Sequence, residues 1–387
     1  MPKRDSTLFT AAPLPVSPLD DGERLACLRL IRSTHVGPVT FRDLINHYGG
    51  ARAALDVLPD LSRRAGRSIR ICPASEAEAE LDAARSIGAN PVFTIEPGYP
   101  ALLAVIDAPP PLLYVKGRTE LFRRPAVAIV GSRLASAAGL KLARQFASEL
   151  SASGVVIVSG LARGIDGAAH HASLDRGTVA VLAGGLDIVY PPEHDALQAR
   201  IGVEGCLVSE QPPGFTPRAK DFPRRNRLVS GLSLGVLVVE AAHRSGTLVT
   251  ARFAGEQGRE IFAVPGHPLD PRAEGTNQLL KSGATLVTQA GDVLETLGPQ
   301  LSPATIGLPE NLDVQPLAPV SRERIAEPGD CERARVLAAL GPHPIDIDEV
   351  VRATELDVRD VRILLMELDL AGEITRHGRQ LVSRSPR

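Results

Sequence analysis

The sequence predicts an α/β fold built on a doubly wound, mainly parallel sheet, with a smaller domain on either side. Three observations lead to this prediction. Short β-rich apolar runs alternate with helical patterns over residues 126–289. Helical patterns alone precede this region, and the last sixty or so residues follow the order helix, helix, helix, hairpin of a winged helix. At 387 residues the chain is long enough for two or three domains.

The composition is that of a globular protein without a targeting or membrane segment. Hydrophobic residues make up 44% of the chain, too many for a disordered protein. We expect no signal peptide, because the first residues lack a continuous apolar region, and no membrane helix, because the apolar runs are too short. The cysteines are scattered without a CxxC pair, which argues against a zinc site or disulfides and favours a reducing cytoplasm: Cys27, Cys72, Cys206 and Cys331.

The charge balance excludes one class of nucleic-acid binder and leaves another open. A formal net charge of −2 excludes a globally basic protein. It leaves room for a local basic groove, because phosphate binding depends on where positive charge is concentrated. Aromatic residues make up 3% of the chain and none is Trp, so we do not expect a surface with many base-stacking platforms.

The N-terminal part is predicted to be helical. After a Pro- and Ser-containing tail at residues 1–20, apolar residues follow a helical period from Glu23. The turn His-Val-Gly-Pro at residues 35–38 resembles a helix-hairpin-helix, whose tight glycine turn can bring backbone N–H groups to a phosphate. The match is short and lacks a second hairpin, so a plain packing role remains open. A helix at residues 76–88 and a Pro-rich extended segment at 97–117 follow.

The central part is predicted to alternate strands and helices. Short apolar runs rich in β-branched residues are typical of strands that a parallel sheet buries on both faces. The predicted strands are residues 126–130, 154–160, 178–185, 206–210, 235–241, 260–266 and 284–289. The predicted helices between them are residues 135–151, 164–177 and 247–259.

The C-terminal part is predicted to be a winged helix at residues 329–387, after a Pro-rich linker at 299–328. Its presumed recognition helix, residues 357–372, carries Arg359 and Arg362. The same helix holds Asp357, Asp360, Glu367 and Asp369. Because an acidic balance is poorly suited to a DNA major groove, we expect a structural or protein-contact role for this helix.

Glycine-rich turns follow several predicted strands, where open α/β sheets bind their ligands. Glycine lets the backbone approach a ligand closely, and a helix that begins there offers free N–H groups to an anion. The turns are Gly131-Ser132-Arg133, Ser159-Gly160 with Gly164 and Gly167, Gly184-Gly185, and Pro265-Gly266. Their spacing matches neither GxGxxG nor GxxxxGK[ST], which disfavours a dinucleotide oxidoreductase or an NTPase, and we expect no cofactor. A purely structural role in tight turns remains open for each loop.

Asp166 and His170 stand four residues apart on the second predicted helix and are close enough to hydrogen-bond along its surface. A catalytic acid–base pair would also need a nucleophile or a substrate-binding residue nearby, and the sequence identifies neither. We therefore interpret the pair as structural support of the site, with ligand contact and catalysis as the alternatives.

Positive charge is most concentrated between the fourth and fifth predicted strands. The run FPRRNRLVSGLS at residues 222–233 contains three arginines and no acid, and Arg218 and Lys220 precede it. Arginine has a planar fork that matches phosphate, and Phe222 offers a base-stacking face. So many basic groups exceed the need of one small nucleotide and favour a polyanion. For Arg227 the alternative is an ion pair with a buried acid such as Glu240.

Five motifs in register resemble the DNA-processing protein A family, DprA, also called Smf. They are GSR, SGLARGIDGAAH, FPRRNRLVSGLS, VVEAAHRSGTLVTA and GREIFAVPG. The resemblance runs from about Glu23 to Gln289 and continues more weakly through the C-terminal helices. It implies a SAM-like helical domain, an extended Rossmann-type domain and a winged helix. On that basis we expect the domains at residues 21–90, 91–298 and 329–387.

The resemblance also implies a function: a non-enzymatic homodimer that binds and protects single-stranded DNA and loads the RecA recombinase during natural transformation. Carried over to this chain, the family's DNA groove would use Ser132, Arg133, Gly160, Gly164, Arg225, Asn226, Arg227, Ser245, Gly246 and Thr247, with Lys220 and Phe222 as additions. The alternatives are a structural adaptor and a nucleotide-processing enzyme of the LOG phosphoribohydrolase type. The second would need a PGGxGTxxE motif, and the sequence AGGLD at residues 183–187 lacks its Thr and Glu.

Overall fold

The computed structural model describes residues 19–64, 69–301, 329–378 and 380–385. They divide into two units. One unit holds the N-terminal helices and the C-terminal winged helix, and the other is formed mainly by residues 73–94 and 98–308. The predicted tail at residues 1–20 and linker at 299–328 lie almost entirely outside the described residues.

The N-terminal module consists of α1 (Asp21–Arg32), α2 (Pro38–Tyr48) and α3 (Ala51–Arg64). The Asp20 side chain starts α1 by accepting a hydrogen bond of 2.8 Å from the backbone N–H of Glu23. In the turn between α1 and α2, His35 has a left-handed backbone (φ 66°), and Pro38 opens α2, where its missing N–H is not needed.

The second unit is built on one sheet. Its nine strands within the described residues are β1 (Asn90–Phe93), β2 (Leu112–Gly117), β3 (Ala126–Val130), β4 (Val156–Ser159), β5 (Thr178–Val181), β6 (Cys206–Ser209), β7 (Gly235–Val238), β8 (Glu260–Ala263) and β9 (Thr285–Leu286). Their order is β1-β2-β6-β5-β4-β3-β7-β8-β9. The strands from β6 to β9 are parallel, and β1 and β2 add an antiparallel edge. The predicted doubly wound, mainly parallel sheet is confirmed, and the edge strands β1 and β2 were not predicted.

Helices cover both faces of this sheet. They are α4 (Ala74–Ser86), α5 (Ala101–Ala104), α6 (Ala137–Ala152), α7 (Ile165–Ser173), α8 (Asp195–Glu204), α9 (Asp221–Gly231), α10 (Thr247–Glu256), α11 (Glu274–Lys281) and α12 (Ala290–Leu297). Residues 222–231 of the basic run FPRRNRLVSGLS lie in α9, a helix that the sequence analysis did not predict. Pro223 is compatible with this helix because it lies in the first turn.

Two apolar layers hold the sheet between its helices. Val127 and Ile129 of β3 enter the layer formed with α6 and α7, whereas Ala128 and Val130 of the same strand enter the opposite layer. This alternation follows from the period of two in a strand. It explains why the central strands are apolar throughout, since both faces are buried.

The chain order reverses between β3 and β7, which are adjacent in the sheet. From β3 the chain proceeds through β4 and β5 to β6 on one side, and from β7 through β8 to β9 on the other. In doubly wound sheets the crevice beyond such a reversal is the usual place for a ligand. The loops that the sequence analysis selected lie at this edge of the sheet.

The winged helix consists of α13 (Asp330–Ala339), β10 (Ile345–Asp346), α14 (Ile347–Thr354), α15 (Val358–Leu370), β11 (Ile374–His377) and β12 (Leu381–Arg384). This order confirms the prediction from sequence. The strands pair in the order β10-β12-β11, and the helices pack on an apolar core that includes Val350, Leu364 and Leu368. Among the described residues, no helix has the length and apolar character needed to span a membrane.

Candidate functional site

A groove with a volume of about 820 Å³ opens beyond the carboxyl ends of the central strands. Its walls are the loops after β3 and β4, helix α9, and the loop that leads into α10. Most of the predicted site residues line it: Ser132, Arg133, Gly160, Phe222, Arg225, Asn226, Ser245, Gly246 and Thr247. We refer to this groove as the rim groove.

An aromatic pair and a guanidinium form one side of the rim groove. The Arg133 guanidinium carbon lies 5.5 Å from the centre of the Phe222 ring, within the range of a cation–π contact. The Phe222 ring centre is 5.0 Å from that of Tyr190, whose side chain is half-exposed. Arg133 is also exposed, so a cation and two aromatic faces are presented side by side to the groove.

The floor of the rim groove contains a buried cation. Arg225 is 5% exposed, and its Nη1 donates a hydrogen bond of 2.8 Å to the carbonyl oxygen of Val181. Burial lowers the pKa of Arg225 to about 10, and the nearby Asp166 opposes that change. The guanidinium therefore remains protonated at neutral pH, beside the Asp166 carboxyl group.

The loop after β4 is held against this cation. The Asp166 carboxylate accepts hydrogen bonds from the backbone N–H groups of Gly160 (3.1 Å) and Ala162 (3.3 Å). Burial raises the pKa of Asp166, while Arg225 and these two N–H groups lower it in part. A Cβ atom at Gly160 would lie 1.7 Å from Arg225 Nη1, so only glycine leaves room for the guanidinium.

His170 does not pair with Asp166. Its Nδ1 lies 2.7 Å from Thr178 Oγ1, and the Thr178 hydroxyl donates to the carbonyl oxygen of Ile157. The imidazole Nδ1–H is therefore the donor to Thr178. Burial lowers the pKa of His170 to about 3, so the ring is neutral at pH 7. Its bonds connect α7 to β4 and β5, and this role is structural.

The start of α10 forms another wall of the rim groove. Ser245 Oγ accepts from the backbone N–H of Thr247, and Thr247 Oγ1 donates 3.0 Å to the carbonyl oxygen of Gly131. Asn226 Nδ2 donates 3.3 Å to the carbonyl oxygen of Gly246 and so connects α9 to this wall. The wall presents a helix N-terminus, which favours an anion.

Three of the predicted DNA-binding residues lie outside the lining of the rim groove. Arg227 pairs with the carboxylate of Glu210, which is 8% exposed, and donates 2.8 Å to the carbonyl oxygen of Ala108. Its acidic partner is thus Glu210 and not Glu240. Gly164 (φ 74°) lies against the Ser132 carbonyl oxygen, where a Cβ atom would come within 2.2 Å, and brings two loops together. Lys220 is exposed just before α9.

Among the lining residues that the sequence analysis did not select, Tyr190 and Arg244 have side chains suited to bases and phosphates. Tyr190 follows β5 by nine residues and carries no motif spacing, although an aromatic residue between a strand end and Pro191-Pro192 was a usable signal. Arg244 lies in the motif VVEAAHRSGTLVTA, but the sequence analysis selected only the neighbouring residues Ser245, Gly246 and Thr247. It is exposed and adds a second free-standing basic side chain to the wall formed by α10.

We predict that Gly160→Ala destabilises the α/β unit, because the added methyl group would displace the buried Arg225 guanidinium. Overpacking of this kind costs about 1–3 kcal/mol, and we expect such a loss in denaturant unfolding. Gly246→Ala is the matched control, since no atom lies within 4 Å of the position its Cβ would take. Equal stability of the two variants would contradict the assigned contact.

Three family models match parts of this chain. Residues 90–298 match the family model of DNA recombination-mediator protein A, residues 21–83 match the DprA-like N-terminal HHH domain, and residues 320–378 match the DprA winged helix domain. Protein Smf of Escherichia coli is 44% identical over 280 residues, which cover 71% of this chain and 72% of that protein.

Two further comparisons concern Streptococcus pneumoniae. Its DNA processing protein DprA is 45% identical over 207 residues, which cover 53% of this chain and 73% of that protein. The X-ray structure of DprA from this organism superimposes with a TM-score of 0.55 at 36% identity and covers 66% of this chain and 86% of that chain. The LOG-type alternative is not favoured. The chain belongs to the DNA recombination-mediator protein A family, known as DprA or Smf.

Proposed function

We propose that this recombination mediator holds single-stranded DNA in the rim groove, with phosphates near Arg133 and bases against Phe222 and Tyr190. The observation that carries this proposal is the contact of the Arg133 guanidinium with an aromatic pair at the edge of the groove. A single strand presents phosphates and unstacked base faces next to each other, whereas a duplex hides its base faces. The arrangement therefore suits a single strand.

The other groups in the groove suit phosphates in any sequence. Ser132 lines the groove with a hydroxyl group, the start of α10 contributes the positive end of its helix dipole, and Arg225 and Arg244 are cations of the lining. Contacts of these kinds position a strand without reading its bases. We expect binding that is largely independent of base sequence.

The wider role follows from the family. We propose that the chain protects incoming DNA in the cytoplasm during natural transformation, passes it to the RecA recombinase and acts as a homodimer. The internal bonds of Asp166 and His170 support a binding role over a catalytic one, because Asp166 holds the loop after β4 and His170 Nδ1 is bonded to Thr178 in the interior.

The winged helix is proposed to brace the N-terminal helices instead of reading DNA. In the unit that contains both, the Thr40 hydroxyl of α2 donates 2.6 Å to Asp369 of α15. Arg376, whose side chain is 10% exposed, lies 3.1 Å from Asp43 of α2 and 3.4 Å from Asp369. Burial raises the pKa of Asp43, and Arg376 opposes this change. Helix α15 thus contributes to an internal contact, which agrees with its acidic balance.

We predict that Arg133→Ala weakens binding to every single-stranded oligonucleotide alike. If Arg133 neutralises one phosphate, the slope of log affinity against log salt should become shallower by about 0.7. Arg227→Ala is the control, because Arg227 is already paired with Glu210. It should lower the melting temperature and leave the salt slope unchanged.

The salt titration has outcomes that would contradict the proposal. A folded Arg133→Ala variant with an unchanged slope would remove Arg133 from the phosphate contacts. A shallower slope for Arg227→Ala would place DNA on that side of α9. Tighter binding of a matching duplex than of the single strand by the wild-type protein would reject the single-strand proposal itself.

We predict that Arg376→Ala destabilises the unit of N-terminal helices and winged helix without changing affinity for single-stranded DNA. Asp43 and Asp369 would lose the guanidinium that they share, which should lower the free energy of unfolding by about 2 kcal/mol in this partly buried site. Arg352→Ala, at an exposed position of α14, should leave stability within about 0.5 kcal/mol of wild type. Thermal melts beside binding titrations test both expectations, and a large loss of affinity in folded Arg376→Ala would implicate the winged helix in DNA binding.

A further inference from the structure

The crevice between β3 and β7 is where a doubly wound fold ordinarily binds the phosphate of a nucleotide. Helix α6 begins there with its N-terminus toward the crevice, and a helix start of this kind offers N–H groups and partial positive charge to an anion. The question is what occupies this place in the present chain.

A carboxylate of the chain itself occupies it. Glu240, just after β7, accepts hydrogen bonds from the backbone N–H of Ser136 (3.0 Å, Oε2) and from Ser136 Oγ (2.5 Å, Oε1). Ser136 is the residue that caps α6, and its hydroxyl in turn accepts from the N–H of Gly139. A Cβ atom at Gly139 would lie 2.5 Å from the Glu240 carboxyl carbon, so the absence of a side chain at residue 139 makes room for the carboxylate.

A second contact closes the same crevice from the side of α10. Thr247 Oγ1 donates 3.0 Å to the carbonyl oxygen of Gly131, at the end of β3. A Cβ atom at Gly131 would come within 2.5 Å of Ile165 and 3.1 Å of the Glu240 carbonyl oxygen, which shows how tightly the loops pack. The rim groove is lined by Gly131 and Thr247 but not by Glu240 or Ser136.

We propose that Glu240 is a specificity-determining residue that excludes the phosphate of free nucleotides from the start of α6. Free nucleotides carry the same phosphates and bases as DNA, so discrimination requires an element that acts against them. A mononucleotide depends on one strong phosphate site, whereas a DNA strand gains affinity from many weaker phosphate contacts along a groove. A side chain that already fills the strong site and binds its donors therefore penalises the mononucleotide most. This inference rests on the proposed binding of single-stranded DNA in the rim groove.

The first test replaces the carboxylate with an anion from solution. In Glu240→Ala the vacated helix start should accept inorganic phosphate, so added phosphate at constant ionic strength should raise the melting temperature. At ten times its dissociation constant the rise should be about 3–5 °C above that of wild type. Glu240→Gln is the control: the amide fills the same space, so its response should match that of wild type. If Glu240→Ala fails to fold, Glu240→Ser carries the same expectation.

The second test measures binding of thymidine monophosphate by calorimetry. Glu240→Ala should bind it at least tenfold more tightly than wild type or Glu240→Gln does. Equal phosphate responses and equal mononucleotide affinities in all three proteins would overturn the inference. The melting test involves no DNA, so it separates this result from failure of the proposed function, in which wild type would not bind single-stranded oligonucleotides at all.

Discussion

The packing of the buried Arg225 guanidinium on Gly160 is the contact on which the rest of the site depends. A buried cation is costly, and here its charge is balanced by Asp166 and its Nη1 is satisfied by the Val181 carbonyl oxygen. Asp166 also binds the N–H groups of the loop that contains Gly160. The Asp166 carboxylate therefore holds the loop that contains Gly160 and balances the Arg225 guanidinium packed against that loop. These two interactions determine the geometry of the groove floor.

The position of Arg225 also determines what α9 presents to the groove. When Arg225 points inward, Arg227 lies toward Glu210 and Ala108, and Phe222 in the first turn lies toward Tyr190 and Arg133. The three arginines of the basic run consequently have different roles. Arg225 forms the floor, and Arg224 and Arg227 pair with Glu210. Arg133, from another loop, supplies exposed charge beside the aromatic faces.

Much of this could be predicted from sequence, because local patterns determine it. The alternation of β-rich runs and helices predicts the parallel strands, and the glycine turns identify the edge of the sheet where the groove lies. The antiparallel strand β2 was missed because it ends a Pro-rich segment, and β1 was missed because its four residues, which include Pro91, are too short for a pattern. Helix α9 was missed because three arginines and Pro223 obscure its apolar positions.

The individual roles of charged residues could not be predicted, because they depend on neighbours that are distant in sequence. Arg227 and Arg133 both precede apolar or small residues and look alike in the sequence, yet one is paired 17 residues away and the other is exposed. The same holds for Tyr190, which meets Phe222 only in the folded chain.

We propose above all that the rim groove binds a strand and not a single nucleotide. The most direct measurement is the affinity of the wild-type protein for single-stranded oligothymidylates of increasing length, up to about twenty nucleotides, at one fixed salt concentration. We expect a steep rise in affinity with length until the groove is filled, followed by a plateau or a shallow statistical increase. An affinity that is already maximal for one or two nucleotides would contradict it.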